Sequence, residues 1–155
     1  MEKLPQSQQP QHAFSSYIEE KVRRSETRIF KAVFPDLTNH YDTLFGGTAM
    51  QMMDEVAFIT ATRFTRLPVV TIASDRIEFK KPIPAGTIVE LVGKVVKIGN
   101  TSLDVRVDIY VESMYAEERE KAISGTFTFV AIDKERRPIS VLANSPLPHS
   151  GDKKE

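Results

Sequence analysis

No cysteine occurs among the 155 residues, and no tryptophan. The first absence removes disulfides, thiolate metal sites and cysteine nucleophiles together, and it suits a reducing compartment. An excess of one charge is also lacking. The 21 basic residues offset 21 acidic ones, so no net field draws the chain toward nucleic acid or an anionic membrane surface. Nowhere is there a run of ~18 apolar residues to cross a bilayer, and the glutamine-rich start has no apolar segment of the signal-peptide kind. The three histidines, His12, His40 and His149, lack metal-ligand spacing. Glycine-rich phosphate loops and the G-x-S-x-G nucleophile motif are missing too. The expectation is a cytoplasmic protein with no metal, no nucleic-acid partner and no membrane insertion.

What is present is enough for one domain with a real core. Residues 1–26 read as a polar N-terminal tail, with a short helix over residues 15–26 where Glu19 and Glu20 precede Arg23 and Arg24 by four. Residues 142–155 read as a second tail, and residues 27–141 as the folded unit. Inside that unit, residues 28–34 have strand composition and stop at Pro35. Residues 47–64 contain good helix formers, and Met50, Met53, Ala57, Ala61 and Phe64 share one arc of the helix. Beyond Pro68 the period changes to two. Leu103, Val105, Val107, Ile109 and Val111 alternate with polar residues, and residues 69–79, 87–97 and 121–133 read as three further strands. Short connections imply an antiparallel sheet. The one long apolar helix available to cover it implies a curved sheet wrapped around a central helix.

Two features of that helix bear on chemistry. Asp54 lies at the border of the apolar stripe, about 20° from Ala61 in helical projection. A carboxylate there is costly to bury without partners. The plain reading is a partly exposed acid or one paired with Arg76; the functional reading is a general base or nucleophile beside a cleft. Just before it, Gly46 and Gly47 leave backbone N–H groups unobstructed at a helix start, where unpaired donors and positive potential can hold an oxyanion. The plain reading is a tight turn. His40 reads as a solvated loop histidine, and Met50, Met52 and Met53 as core packing and pocket lining.

The stretch PDLTNHYDTLFGGTAMQMMDEVAFITATR, residues 35–63, resembles the signature of hot-dog acyl-CoA hydrolases of the cytosolic acyl-CoA thioesterase type. The segments at residues 69–83, 97–113 and 124–141 resemble the following strands of that family, so the likeness spans the domain. The spacing T-N-x-x-x-x-x-F-G-G-x-x-M-x-x-x-D is far more specific than its pieces. The resemblance implies an α+β hot-dog fold, an antiparallel β-sheet wrapped around one long central α-helix. It implies hydrolysis of acyl-CoA to a free fatty acid and CoA, with Asp54 and the loop residue Asn39 meeting across a homodimer interface and dimers assembling to a hexamer. Asp42 stands where aligned relatives often carry asparagine.

A thioester needs a nucleophile and a stabilised oxyanion, and coenzyme A is part of the substrate, so no cofactor is called for. Asp54 would act as base or nucleophile, Asn39 would position the reactants, and the Gly47 N–H would polarise the carbonyl. Gly46, Lys80, Lys81, Asn100, Thr101 and Ser102 are the candidates for substrate contacts, the lysines and the turn for the nucleotide phosphates. A dehydratase of this fold would need a histidine paired with an acid, and the helix has none. An acyl-CoA sensor would carry a DNA-binding segment ahead of the domain, and the polar residues there are too few. A purely structural role would leave Asp54 unexplained.

Overall fold

The computed structural model describes residues 10–145. Helix α1 spans Pro10–Ser25, strand β1 Thr27–Val33, a single 3-10 turn Pro35–Leu37 and helix α2 Gly46–Thr65. Strands β2 (Val69–Phe79), β3 (Thr87–Ile98), β4 (Ser102–Ser113) and β5 (Arg119–Ala131) follow. α1 begins five residues before the helix expected at residue 15. Proline is tolerated in a first helical turn, and half-buried Phe14, Tyr17, Ile18 and Val22 form a stripe that reaches the body of the protein. Residues 1–9 and 146–155, which hold the start of the expected N-terminal tail, most of the C-terminal one and His149, lie outside the described residues.

All strand pairs are antiparallel, in the order β1-β3-β4-β5-β2. The sheet packs on α2, as expected. Short connections, however, do not make every pair of successive strands neighbours: β2 pairs with β5, at the far edge from β3. The link over residues 80–86 crosses the end of the sheet instead of turning as a hairpin. Its Ile83 is buried in the core, and the Ile83 carbonyl accepts the Leu44 N–H at 2.8 Å. A buried apolar anchor lets a link of hairpin length run between opposite parts of a sheet.

The core lies between α2 and the inward face of the sheet, with Leu103, Val105, Val107 and Ile109 buried from β4 alone. Two strand glycines let the helix come close. A Cβ on Gly93 would stand 2.4 Å from Thr60 Oγ1, and one on Gly125 would stand 2.9 Å from Ile77 Cγ1 and 3.2 Å from Met53 Cε. The buried arc of α2 is wider than the projected one and takes in Ala49, Met52, Val56 and Thr60. Met50 belongs to the projected arc but is 38% exposed, because it fronts an open groove between α2 and β2.

Candidate active site

α2 starts without a side-chain cap at Phe45, so the donors of its first turn have no side-chain acceptor. A Cβ on Gly46 would meet the Phe79 ring at 3.6 Å, and one on Gly47 would meet nothing within 4 Å. Two turns on, Asp54 is half-buried and faces the groove lined by Met50, Gln51, Thr71, Ile72 and Phe127, an open space of about 530 Å³. Thr71 Oγ1 donates a hydrogen bond to Asp54 Oδ1 at 3.0 Å. No cation neutralises Asp54 among the described residues. Arg76 stands in a left-handed conformation, φ 51°, within the irregular stretch of β2, and its nearest carboxylate is Asp75 at 4.0 Å. The carboxylate is therefore held by a neutral donor and left open toward solvent on one side.

Asn39 anchors the loop before α2. Its Oδ1 accepts from Tyr41 N at 2.9 Å, Thr43 N at 3.3 Å and Thr43 Oγ1 at 3.1 Å. Three donors around one atom identify it as the amide oxygen, so the Nδ2 donor turns away from the loop and has no partner among the described residues. Asp42 adopts φ 58° while its N–H bonds Asn39 O and its carbonyl accepts from Ala85 N. Aspartate and asparagine are the non-glycine residues that best tolerate this region, which accounts for the exchange noted at this position. His40 is exposed, its ring 3.9 Å from that of Tyr41.

The remaining candidates separate into two groups. Lys80 and Lys81 lie beside Gly46, Leu44 and Phe79, at the end of β2 near the start of α2. Lys81 Nζ bonds Glu120 at 2.7 Å and Lys80 Nζ stands 3.9 Å from Glu78. Asn100, Thr101 and Ser102 form the β3–β4 turn at the opposite end, tied to Val141 and Ala131 by backbone hydrogen bonds. Asp54 lies between them, and Asn39 does not line its groove. Thr71 was absent from the sequence reading. The signal for it is that period-two alternation puts this polar residue on the face of buried Val69. Among the described residues there is no cluster of three histidines or acids able to hold a metal.

Residues 41–117 match the thioesterase superfamily. An uncharacterized acyl-CoA thioester hydrolase of Zymomonas mobilis is 40% identical over 116 residues, 75% of this chain and 78% of that protein. The fold is similar to the acyl-CoA hydrolase of Staphylococcus aureus in complex with butyryl coenzyme A and coenzyme A, with a TM-score of 0.74, 37% identity, and 77% and 73% of the two chains covered. Variants of that enzyme with an aspartate, a threonine or an asparagine replaced by alanine have the same fold relation to this chain. A hexameric apo acyl-CoA thioesterase is 34% identical, with a TM-score of 0.75 and 77% and 76% of the chains covered. On this likeness in sequence and fold, the chain belongs to the acyl-CoA hydrolases of the thioesterase superfamily.

Proposed function

We propose that the chain hydrolyses acyl-CoA with Asp54 as general base or nucleophile, at a site completed by a second subunit. The observation that carries this reading is the hydrogen bond from the neutral Thr71 hydroxyl to Asp54 in an open groove. In the Staphylococcus aureus enzyme the replaced asparagine precedes the replaced aspartate by 15 residues and the replaced threonine follows it by 17. Asn39, Asp54 and Thr71 keep both spacings here.

With Oδ1 fixed by Thr71, Oδ2 is free to work. As base it takes a proton from water, whose oxygen attacks the thioester carbon, and the tetrahedral oxyanion collapses to expel CoA as thiolate. As nucleophile the carboxylate attacks the thioester carbon, expels CoA as thiolate and forms a mixed anhydride that water then cleaves, freeing the fatty acid and the carboxylate. Either route needs a donor for the oxyanion. Gly47 is required neither by a positive φ nor by packing within the subunit, so its bareness serves to keep the N–H open at the positive end of α2. Seven residues at about 1.5 Å rise separate Gly47 from Asp54 of the same chain by roughly 10 Å, too far to share one carbonyl. The Gly47 N–H that acts with a given Asp54 therefore comes from the partner of a homodimer, and the Asn39 amide, which does not line the Asp54 groove of its own chain, comes with it. The Asn100–Thr101–Ser102 turn, with Gly46, Lys80 and Lys81, supplies substrate contacts, the turn being the stronger candidate for phosphates because both lysines already face carboxylates. Assembly of dimers to a hexamer and a cytoplasmic location belong to the same reading.

The test measures released thiol from butyryl-CoA and longer acyl-CoAs. Asp54→Asn should lower kcat by ~10² to 10⁴ with little change in KM, whereas Glu55→Ala, on the exposed side of the helix, should cost almost nothing. An Asp54→Asn variant keeping more than about a tenth of wild-type kcat contradicts the mechanism.

A further inference from the structure

α1 and α2 enclose a second groove, about 610 Å³, lined by Tyr17, Glu20, Lys21, Arg24, Arg63 and Arg66 among others. It is separate from the Asp54 groove: at about 100° per residue, Asp54 and Arg63 leave α2 on opposite sides. Four cations face one carboxylate here, and that carboxylate, Glu20, is already bonded by Arg23 and Arg24. Among the described residues, Lys21, Arg63 and Arg66 have no acid within ion-pair distance. Lys21 Nζ instead lies 5.4 Å from the Phe64 ring centroid and 5.8 Å from that of Tyr17. Arg63 spends its N–H groups on the Arg24 and Glu26 carbonyls and on Thr27 Oγ1, which fixes the guanidinium and leaves its charge uncompensated. Arg66 caps α2 in the left-handed region, φ 52° and ψ 34°, where glycine is the usual residue. Arg66 lines the groove, and Asn144 Nδ2 bonds the Arg66 carbonyl at 2.7 Å.

Cations gathered in a concave space with little counter-charge create a potential that an anion relieves, and an arginine whose N–H groups are not spent on neighbours suits phosphate oxygens. We propose that the α1–α2 groove binds a phosphate-bearing anion, with Arg66 and Lys21 meeting the phosphate oxygens and Tyr17 forming one wall. The phosphates have two sources with this shared chemistry, the nucleotide portion of a CoA substrate or product and a separate nucleoside polyphosphate. The competing explanation is that Arg63 and Arg66 only complement the negative end of the α2 dipole, which requires no ligand.

Calorimetric titration of the full chain with inorganic pyrophosphate at low salt decides between them. Saturable binding is expected, weakened roughly tenfold or more in Arg66→Gly and in Lys21→Met, the loss of one charge-assisted partner. Arg66→Gly suits the left-handed backbone, so its Tm should not fall and lost binding cannot be blamed on lost fold. No saturable binding by the wild type, or affinity unchanged in both variants, overturns the proposal. Two further arms identify the source. If the phosphates belong to the substrate, which rests on the hydrolase reading above, Arg66→Gly raises KM for butyryl-CoA with kcat unchanged. If they belong to a separate ligand, KM stays constant while ADP binding weakens as pyrophosphate binding does. Asp54→Asn should retain pyrophosphate affinity, so a failure of the groove and a failure of the catalytic reading register on different measurements.

Discussion

Replacing Thr71 by valine removes a hydroxyl while keeping the outline of the side chain, so it isolates the hydrogen bond to Asp54. Loss of a donor to a charged carboxylate should lower kcat by about tenfold, with a smaller change in KM, and Thr71→Ser should restore most of it. Unchanged kcat in Thr71→Val would show that the hydroxyl does not orient the carboxylate. At this scale the sequence was uneven. Asp54 and the glycine pair were legible because helical projection needs nothing but residue order. The partner of Asp54 was not, because it depends on the position of β2 beside α2: the irregular stretch of β2 sends Arg76 to Asp75 and leaves Thr71 to meet the acid. Asp42 stands where the resemblance leads one to expect asparagine, and its presence is explained by backbone conformation, φ 58°, which no period reveals.

Between elements, the approach of α2 to the sheet rests on residues that lack side chains. Gly93→Ala would put a Cβ 2.4 Å from Thr60 Oγ1 and 3.0 Å from Val56 Cγ1. Both neighbours are buried on a packed helix, so the cost should be roughly 1–3 kcal/mol, seen as a lower Tm. Adding Thr60→Ala removes the nearer atom and should recover part of the loss; no recovery would place the strain elsewhere. On the outer face of the sheet, Glu90 from β3 bonds Arg28 from β1 at 2.9 Å and Arg119 from β5 at 2.6 Å, and Arg119 stacks on Tyr110 of β4, 3.8 Å from its ring centroid. Burial pushes the Glu90 carboxyl up, but hydrogen bonds from Arg119 and Arg28 outweigh it and hold the group below its usual value. A carboxyl depressed in the folded state stabilises the protein above its unfolded value, and that stability is lost as pH falls through the folded value. The stability gap between wild type and Glu90→Gln should therefore be widest near neutral pH and close below about pH 4. A gap independent of pH would mean that the ionised cluster contributes nothing. Strand limits were readable from alternation, whereas the crossing of residues 80–86 was not, since loop length does not say which edge a strand joins.

For the whole molecule, the decisive feature is the edge formed by β2. This strand of 11 residues is exposed along nearly its full length, and Val70 at 41% and Ile72 at 57% present apolar surface along it. A long edge of this kind invites pairing, and a two-fold pairing would apply the same edge twice. Light scattering at micromolar concentration should accordingly find at least a dimer, and a fully active monomer would refute a shared site. Subunit mixing gives the sharper test. Asp54→Asn and Asn39→Ala are each expected to be impaired, the second less severely because it orients reactants without taking the proton. If a site takes Asp54 from one subunit and Asn39 from the other, a mixed dimer has one wild-type site and one doubly altered site. Random reassembly of the two variants in equal amounts then makes about a quarter of all sites intact by the statistics of a two-fold dimer. Co-refolding should return roughly that fraction of wild-type activity, well above the mean of the two parents. If both residues served a site within one chain, every site would keep one lesion and mixing would yield only that mean. The physical basis for expecting recovery is that α2 sets Gly47 roughly 10 Å along its axis from Asp54, and that Asn39, on the loop leading into Gly47, does not line the Asp54 groove of its own chain.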